Sequence, residues 1–457
     1  MGIYRFRVRG SEKVLGGIRT GQCATVGGRR AVGWYLCLAL VVGFLPGALT
    51  SEASGGEKLG GIPIARPAIC SLKSVAGTCA VPAAAAARKK PAKCTGARKK
   101  SKSCVAAVLK AAKKKAAVKK KSKNSTSAKP KGSPIGFGPA QIRGAYNLPK
   151  AAPRSQTIAV VTAFDNPNAE SDLGVYSSTY SLPRCTSANG CFRKVNGRGK
   201  ARPIPSADAR WALETSLDVQ IAHAVCPNCK ILLVEAASDS VLDLLDAVDS
   251  AVKLGANEVS NSWVVDEFSS QTLYDSRFDH PGVAITAASG DVANRVQWPA
   301  SSPFVTAVGG TTLTVSDNVR VSESAWQLGS SGCSRYEAKP AWQTDSGCSR
   351  RMVPDVVAVG DPSSGAAVYD SYGYSGRRGW FTVGGTSLGA PIIAAVYALA
   401  GNADQVVAGS YPYAHSGSLF DIRSGVNGSC SPSYLCTTGR GYDGPTGVGS
   451  PNGTAGF

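Results

Sequence analysis

The sequence predicts an α/β domain with a mostly parallel central sheet, preceded by a basic segment that lacks the apolar residues needed for a core. Short β-branched apolar runs alternate with helical patterns only after residue 133, the arrangement expected of a sheet covered by helices on both faces. The charge divides at the same place. Residues 1–131 carry 28 basic and 3 acidic side chains, against 23 basic and 27 acidic in the rest of the 457-residue chain. The formal charge of +21 therefore describes a tail, and reading the whole protein as a nucleic-acid binder would mistake that tail for the domain. The near-neutral remainder is long enough for one large core, which excludes disorder throughout and a repeat array.

Residues 31–49 (AVGWYLCLALVVGFLPGAL) are uncharged and apolar, preceded by Arg29 and Arg30 and followed by small and polar residues. That is the plan of a secretory signal, with an uncleaved anchor as the competing reading that Pro46 and the glycines weaken. We take 1–53 as the signal or anchor region, 54–133 as a Lys/Ala-rich disordered prosegment or linker, and 134–457 as the folded domain. The expectation is a secreted protein, a monomer with no stable membrane partner once the signal is removed. Between residues 88 and 131 eighteen Lys or Arg alternate with Ala, Ser and Pro. Self-repulsion should keep that stretch disordered, either as a solvated linker or as a tether to polyanions. Twelve of the fourteen cysteines fall into near neighbours, Cys70 with Cys79, Cys94 with Cys104, Cys185 with Cys191, Cys226 with Cys229, Cys333 with Cys348 and Cys430 with Cys436, which predicts local disulfides in an oxidising compartment. A zinc site at Cys226 and Cys229 lacks the second CxxC it would need.

In the domain the apolar runs are residues 157–164 (TIAVVTAF), 230–236 (KILLVEA), 258–263 (EVSNSW), 283–288 (VAITAA) and 304–308 (FVTAV). Helical patterns lie at 207–225 and 241–254. In such folds the chemistry sits at the carboxyl ends of strands.

Residues 383–391 read VGGTSLGAP and lead into an apolar helix. Two glycines permit a tight strand-to-helix turn, so Ser387 would stand at a helix N-terminus, where its N–H can face a developing negative charge. The whole string resembles the nucleophile segment of subtilisin-like serine peptidases. A subtilisin would need a His-Gly base, yet the three histidines read AHA, DHP and AHS. The base must be something else. On the helix 207–225, Glu214 and Asp218 are four apart and share a face, one position round from the stripe of Leu213, Leu217 and Ile221. Like charges there repel, so one pKa rises and a proton is shared, which makes a carboxylate able to act as base and then acid. Asp239 and Asp243 have the same spacing but, with Asp246 and Asp249, read as the solvated face of the next helix.

The Glu-x-x-x-Asp helix, SGD at 289–291, AVGGTTL at 307–313 and GGTSLGAP together resemble the sedolisin family of serine-carboxyl peptidases, over residues of about 139–452. The resemblance implies a subtilisin-like three-layer α/β sandwich. It makes Ser387 the nucleophile, Glu214 the general base, Asp218 its supporting carboxylate and Asp291 a contributor to the oxyanion hole. Asp291 could donate to an oxyanion only while protonated, which fits an enzyme working in acid; the resemblance, with the signal-like run, implies a secreted endopeptidase of protein substrates. The strings 420–422 (FDI) and 439–447 (GRGYDGPTG) look like the family's calcium site, with the carboxylates of Asp421 and Asp443, the carbonyls of Ile422, Gly439 and Gly441, and a water binding one structural Ca²⁺. One departure is plain: the family usually carries a large folded propeptide, and here a short Ala/Lys-rich segment stands in its place. The competing reading is a non-catalytic secreted or surface protein that reuses the fold and binds polyanions through the basic tail.

Overall fold

The structure is a computed structural model and describes residues 63, 65–67, 81–82 and 133–457. The apolar run 31–49, the Lys-rich stretch 88–131, Cys70, Cys79, Cys94 and Cys104 lie outside the described residues. The main helices are α1 (Pro139–Ala145), α2 (Ala169–Thr179), α3 (Ala209–Val225), α4 (Val241–Lys253) and α5 (Thr386–Ala400). The strands are β1 (Arg66–Pro67), β2 (Val81–Pro82), β3 (Thr157–Ala163), β4 (Phe192–Asn196), β5 (Lys230–Ala236), β6 (Glu258–Asn261), β7 (Trp263–Asp266) and β8 (Ala284–Ala288). After them come β9 (Gln297–Trp298), β10 (Thr306–Ser316), β11 (Val319–Ala325), β12 (Gly332–Ala338), β13 (Arg350–Val353), β14 (Val356–Val359), β15 (Ala366–Tyr374) and β16 (Arg377–Val383).

The central sheet has the order β11-β10-β8-β6-β3-β5-β4, with β14 also paired to β10. Every pairing in it is parallel except β10 with β11. All five apolar runs of the sequence contribute to this sheet. Its strands are buried on both faces, which is why they read as continuous apolar runs. Along β3, Ile158 and Val160 pack into one core with Leu213 and Leu217 of α3 and Ile392 of α5. Ala159, Val161 and Ala163 point the other way, into a second core with Val241, Leu244 and Val248 of α4. The alternation is the two-residue period of a strand, and it makes the three layers.

α4 is the amphipathic helix its pattern predicts. Its apolar positions are buried, while Asp246 and Asp249 take Arg277 as a partner. α3 differs from expectation. A stripe is predicted, yet every residue from Trp211 to Val225 is buried, because α2, α5, β15 and the sheet enclose it on all sides. Its start is fixed by Asp208, whose side chain accepts from the N–H groups of Arg210 and Trp211 at 2.9 and 3.0 Å. Cys185–Cys191, Cys226–Cys229, Cys333–Cys348 and Cys430–Cys436 are disulfides as paired from the sequence. Among the described residues no helix is long and apolar enough to cross a membrane.

Two pieces of the segment expected to be disordered are strands instead. Arg66–Pro67 pairs antiparallel with β7, and Val81–Pro82 pairs antiparallel with β16. Neither carries a periodic pattern long enough to reveal it, and both contain a proline.

Candidate active site

The turn from β16 into α5 is built by its glycines. Gly385 holds φ at +108°, and a Cβ on Gly384 would stand 2.5 Å from the Gly360 carbonyl oxygen. The Gly385 N–H donates to that same oxygen at 2.6 Å. This places Ser387 in the first turn of α5, where the backbone N–H groups have no partner inside the helix. Pro391 follows four residues later and has no N–H to give the Ser387 carbonyl. That carbonyl instead faces the Ser262 hydroxyl at 3.3 Å. Gly389 lets the helix press on β10, since a Cβ there would meet Val308 Cγ1 at 2.9 Å.

Four of the residues singled out in the sequence converge on this turn. Glu214, Asp218 and Ser387 are fully buried and Asp291 nearly so. Asp218 Oδ1 accepts from the Ser262 hydroxyl at 2.8 Å. Asp291 Oδ1 accepts from the Thr386 N–H at 2.8 Å and the Thr386 hydroxyl at 3.0 Å. Among the described residues, both Glu214 oxygens, Asp218 Oδ2, Asp291 Oδ2 and Ser387 Oγ have no hydrogen-bond partner. The Ser387 hydroxyl lies close enough to Glu214 to lower its pKa, although no hydrogen bond of ordinary geometry joins them, a common state of such pairs before substrate binds.

The electrostatics follow from burial. Desolvation pushes the Glu214 carboxyl well above its ordinary value, repulsion by Asp218 adds to that, and the Ser387 hydroxyl opposes it. Asp218 is also raised, by burial, against the Ser262 hydroxyl. Two carboxyls that both resist ionisation hold a proton between them over a wide range of pH. Asp291 is pushed up to about 7 by burial, against the two bonds from Thr386, so in acid it is a carboxylic acid with an unpartnered oxygen.

None of the histidines takes part. His223 is nine residues beyond Glu214 on α3, about 13 Å along the axis. Its Nε2 lies 2.9 Å from the Pro183 carbonyl, and burial lowers its pKa. Cys185, Cys191 and His223 come together, but the disulfide takes both sulfurs. Ser262 and Thr386 are the functional neighbours that the sequence reading missed. Each was within reach of it: Ser262 follows the carboxyl end of β6, where the strand-end rule looks for chemistry, and Thr386 precedes Ser387 in the motif.

A sequence profile described as the Subtilase family matches residues 210–408. The chain is similar to sedolisin of Pseudomonas sp. (strain 101), 38% identical over 175 residues, 34% of this chain and 28% of that protein. It is 28% identical to kumamolisin of Bacillus sp. (strain MN-32) over 70% of this chain and 63% of that protein, and 28% identical to xanthomonalisin of Xanthomonas sp. (strain T-22) over 68% and 44%. A solved structure of Pseudomonas sedolisin, a serine-carboxyl proteinase complexed with two molecules of pseudo-iodotyrostatin, matches with a TM-score of 0.60 and 26% identity, over 70% of this chain and 96% of that one. In sequence and in fold the chain is similar to members of the sedolisin family. Its fold is subtilisin-like, with the mostly parallel sheet described above. The matches span less than two thirds of the length of the curated sedolisin-family relatives.

The residues that the sedolisin resemblance assigns to calcium also lie together. Asp443 is fully buried. Its Oδ2 accepts from the Gly439 N–H at 2.8 Å, and its Oδ1 from the Thr446 N–H at 2.9 Å. Asp421 accepts from the Gly441 N–H at 3.1 Å and from Arg423 Nε at 2.7 Å. Burial pushes Asp443 up to about 7, and the Asp421 charge pushes the same way. A cation would relieve both effects, so the donor set fits a hard divalent ion. Ile422 is buried next to Asp421 in sequence, and Gly439 and Gly441 are tied to the two carboxylates through their own N–H groups.

Proposed function

We propose that the chain is an exported serine-type endopeptidase that hydrolyses peptide bonds through an acyl-enzyme on Ser387 and works best in acid. One observation carries this reading: a buried hydroxyl, a carboxyl pair and a third carboxyl meet at a helix N-terminus with their reactive atoms unpartnered. Leaving a buried polar atom unsatisfied costs about 1–3 kcal/mol. A core with no chemistry to perform has no reason to carry several in one place.

In this reading Ser387 Oγ attacks the scissile carbonyl carbon and Glu214 takes its proton. Asp218 accepts part of that proton's charge and keeps Glu214 basic enough to receive it, while Ser262 fixes Asp218. The tetrahedral oxyanion is met by the Ser387 N–H and by protonated Asp291, which Thr386 holds through its other oxygen. Glu214 then gives its proton to the leaving amine. Water, deprotonated in turn by Glu214, frees the acyl group and restores the serine.

Acid suits this site because Asp291 must keep its proton to donate it. Asp421 and Asp443, with the carbonyls of Ile422, Gly439 and Gly441, would hold Ca²⁺, whose part is to neutralise buried charge and stabilise the folded state. The apolar run at 31–49 and the disulfides support export. Residues 134–457 are taken as the peptidase domain. Digestion of casein between about pH 3 and pH 8, with Ser387→Ala as control, tests the reading. Equal digestion by wild type and Ser387→Ala would remove it.

A further inference from the structure

Just past the carboxyl end of β3 the chain turns toward the helix that carries Glu214. Phe164 holds φ at +59°, a left-handed conformation that costs energy in a residue with a side chain, and the Asp165 N–H donates to the Ser206 carbonyl at 2.9 Å. The next residue, Asn166, is fully buried. Its side-chain NH₂ donates to the Ala212 carbonyl and to Ser216 Oγ, both at 2.9 Å, which uses both of its hydrogens. Its Oδ1 accepts from the Asn168 N–H at 2.9 Å. The backbone is engaged as well: the Asn166 N–H donates to Glu235 Oε1 and the Asn166 carbonyl accepts from Lys194 Nζ, each at 2.9 Å.

Ala212 and Ser216 are one turn apart on one face of α3, and Glu214, midway between them in sequence, projects from the opposite face. A third tie lies beside these two, because Thr215 Oγ1 donates to Thr162 Oγ1 of β3 at 3.1 Å. The turn that carries Glu214 is therefore fastened from behind, at 212, 215 and 216, to β3 and the residues that follow it. Asn166 is in turn held by buried charge. Lys194 pairs with Asp165 and stands 3.4 Å from Oε2 of the fully buried Glu235. Burial pushes the Glu235 carboxyl up to about 8, and the Lys194 charge opposes that rise. With its N–H on the carboxyl and its carbonyl on the ammonium, Asn166 has a fixed backbone from which its side chain reaches α3. A reacting group has to be held to within about 0.5 Å, and apolar packing around α3 does not by itself set the height or rotation of one turn that closely.

We propose that Asn166 is a positioning residue for the general base: through Ala212 and Ser216 it sets the turn of α3 from which Glu214 reaches Ser387. The inference rests on the peptidase reading, in which Glu214 takes the Ser387 proton. Asn166 acts through the helix, so its loss displaces the base without altering the base's chemistry. A displaced base slows proton transfer and leaves substrate binding as it was, and the loss falls on kcat.

The test measures kcat and KM for peptide hydrolysis by the full chain in acid, with folding checked by circular dichroism and thermal melting. Asn166→Ala should lower kcat about 10- to 100-fold with KM within about twofold of the wild type. Ser216→Ala, which removes one of the two bonds to α3, should lower kcat about two- to fivefold, and adding it to Asn166→Ala should cost little more, since both changes cut the same link. Asn166→Asp supplies the rescue. In acid its buried carboxyl keeps a proton and can donate it to the Ala212 carbonyl, so it should recover most of the kcat that Asn166→Ala loses. A lower melting temperature with kcat unchanged in Asn166→Ala, or a higher KM alone, overturns the proposal and leaves the peptidase reading standing, as does equal kcat in Asn166→Asp and Asn166→Ala. Should Asn166→Ala fail to fold, Ser216→Ala decides, and a wild-type kcat there overturns the proposal. If the wild type cleaves no peptide while folded, the peptidase reading fails and this one falls with it.

Discussion

Asp291→Asn tests the acid mechanism at a single atom. Asp291 Oδ1 is occupied by the two bonds from Thr386, and Oδ2 is free. Asparagine can keep its carbonyl on Thr386 and place its NH₂ where the protonated Oδ2 would be, a donor that does not titrate. The wild-type carboxyl has a pKa of about 7, so its protonated fraction falls tenfold per pH step above that and is about 1% near pH 9. Rates of peptide hydrolysis should follow that alkaline limb in the wild type and lose it in Asp291→Asn. Asp291→Ala, with no donor at all, should lose about 100- to 1000-fold at every pH. Stability gives a second readout. The folded-state pKa lies above the ordinary value, so the protonated carboxyl favours the folded state at low pH and the benefit is lost as pH rises from about 4 through 7. Raising a carboxyl from its ordinary 3.8 to about 7 corresponds to about 4 kcal/mol. The Asn variant should escape most of that loss, so its melting temperature should overtake that of the wild type between acid and pH 8. An alkaline limb with an unchanged midpoint in Asp291→Asn would refute the reasoning, because the titrating group would then be another.

Glu214→Gln should abolish turnover with the fold intact by circular dichroism, and Asp218→Asn should be severe without exceeding it, since the pair acts as one unit. Chelation of Ca²⁺ should lower the melting temperature, and Asp443→Ala should do so without chelator; a free ion at a hundred times its Kd is worth about 2.7 kcal/mol, so equal melting curves with and without chelator would mean a plain turn. Arg351→Met should cost about 3–5 kcal/mol of stability by urea unfolding, because Arg351 and Asp355 are both fully buried and paired, and a loss below about 1 kcal/mol would contradict that.

The parts of this fold legible in the sequence were those with a local cause. Five parallel strands read as apolar runs because both their faces are covered, and GGTS read as a turn because only glycine fits at 384 and 385. Glu214 and Asp218 could be paired because helical spacing brings them together without knowledge of the rest. The contacts that complete the site have no such local trace: Ser262 reaches Asp218 across 44 residues and Thr386 reaches Asp291 across 95. The all-round burial of α3 was likewise illegible, since a stripe of Leu213, Leu217 and Ile221 shows one buried face and says nothing about what covers the others. Arg66 and Pro67 were hidden for a further reason, because a two-residue strand takes its order from the walls that hold it.

The central claim is that Ser387 carries the acyl group, and trapping that intermediate tests it most directly. The full chain, mixed in acid with a peptide ester that acylates faster than it deacylates, can be quenched and mapped by mass spectrometry. The account predicts one acyl adduct on the peptide containing Ser387, absent from Ser387→Ala and greatly reduced in Glu214→Gln. Rapid hydrolysis of the ester with no adduct on Ser387, or with the adduct persisting elsewhere in Ser387→Ala, would contradict it.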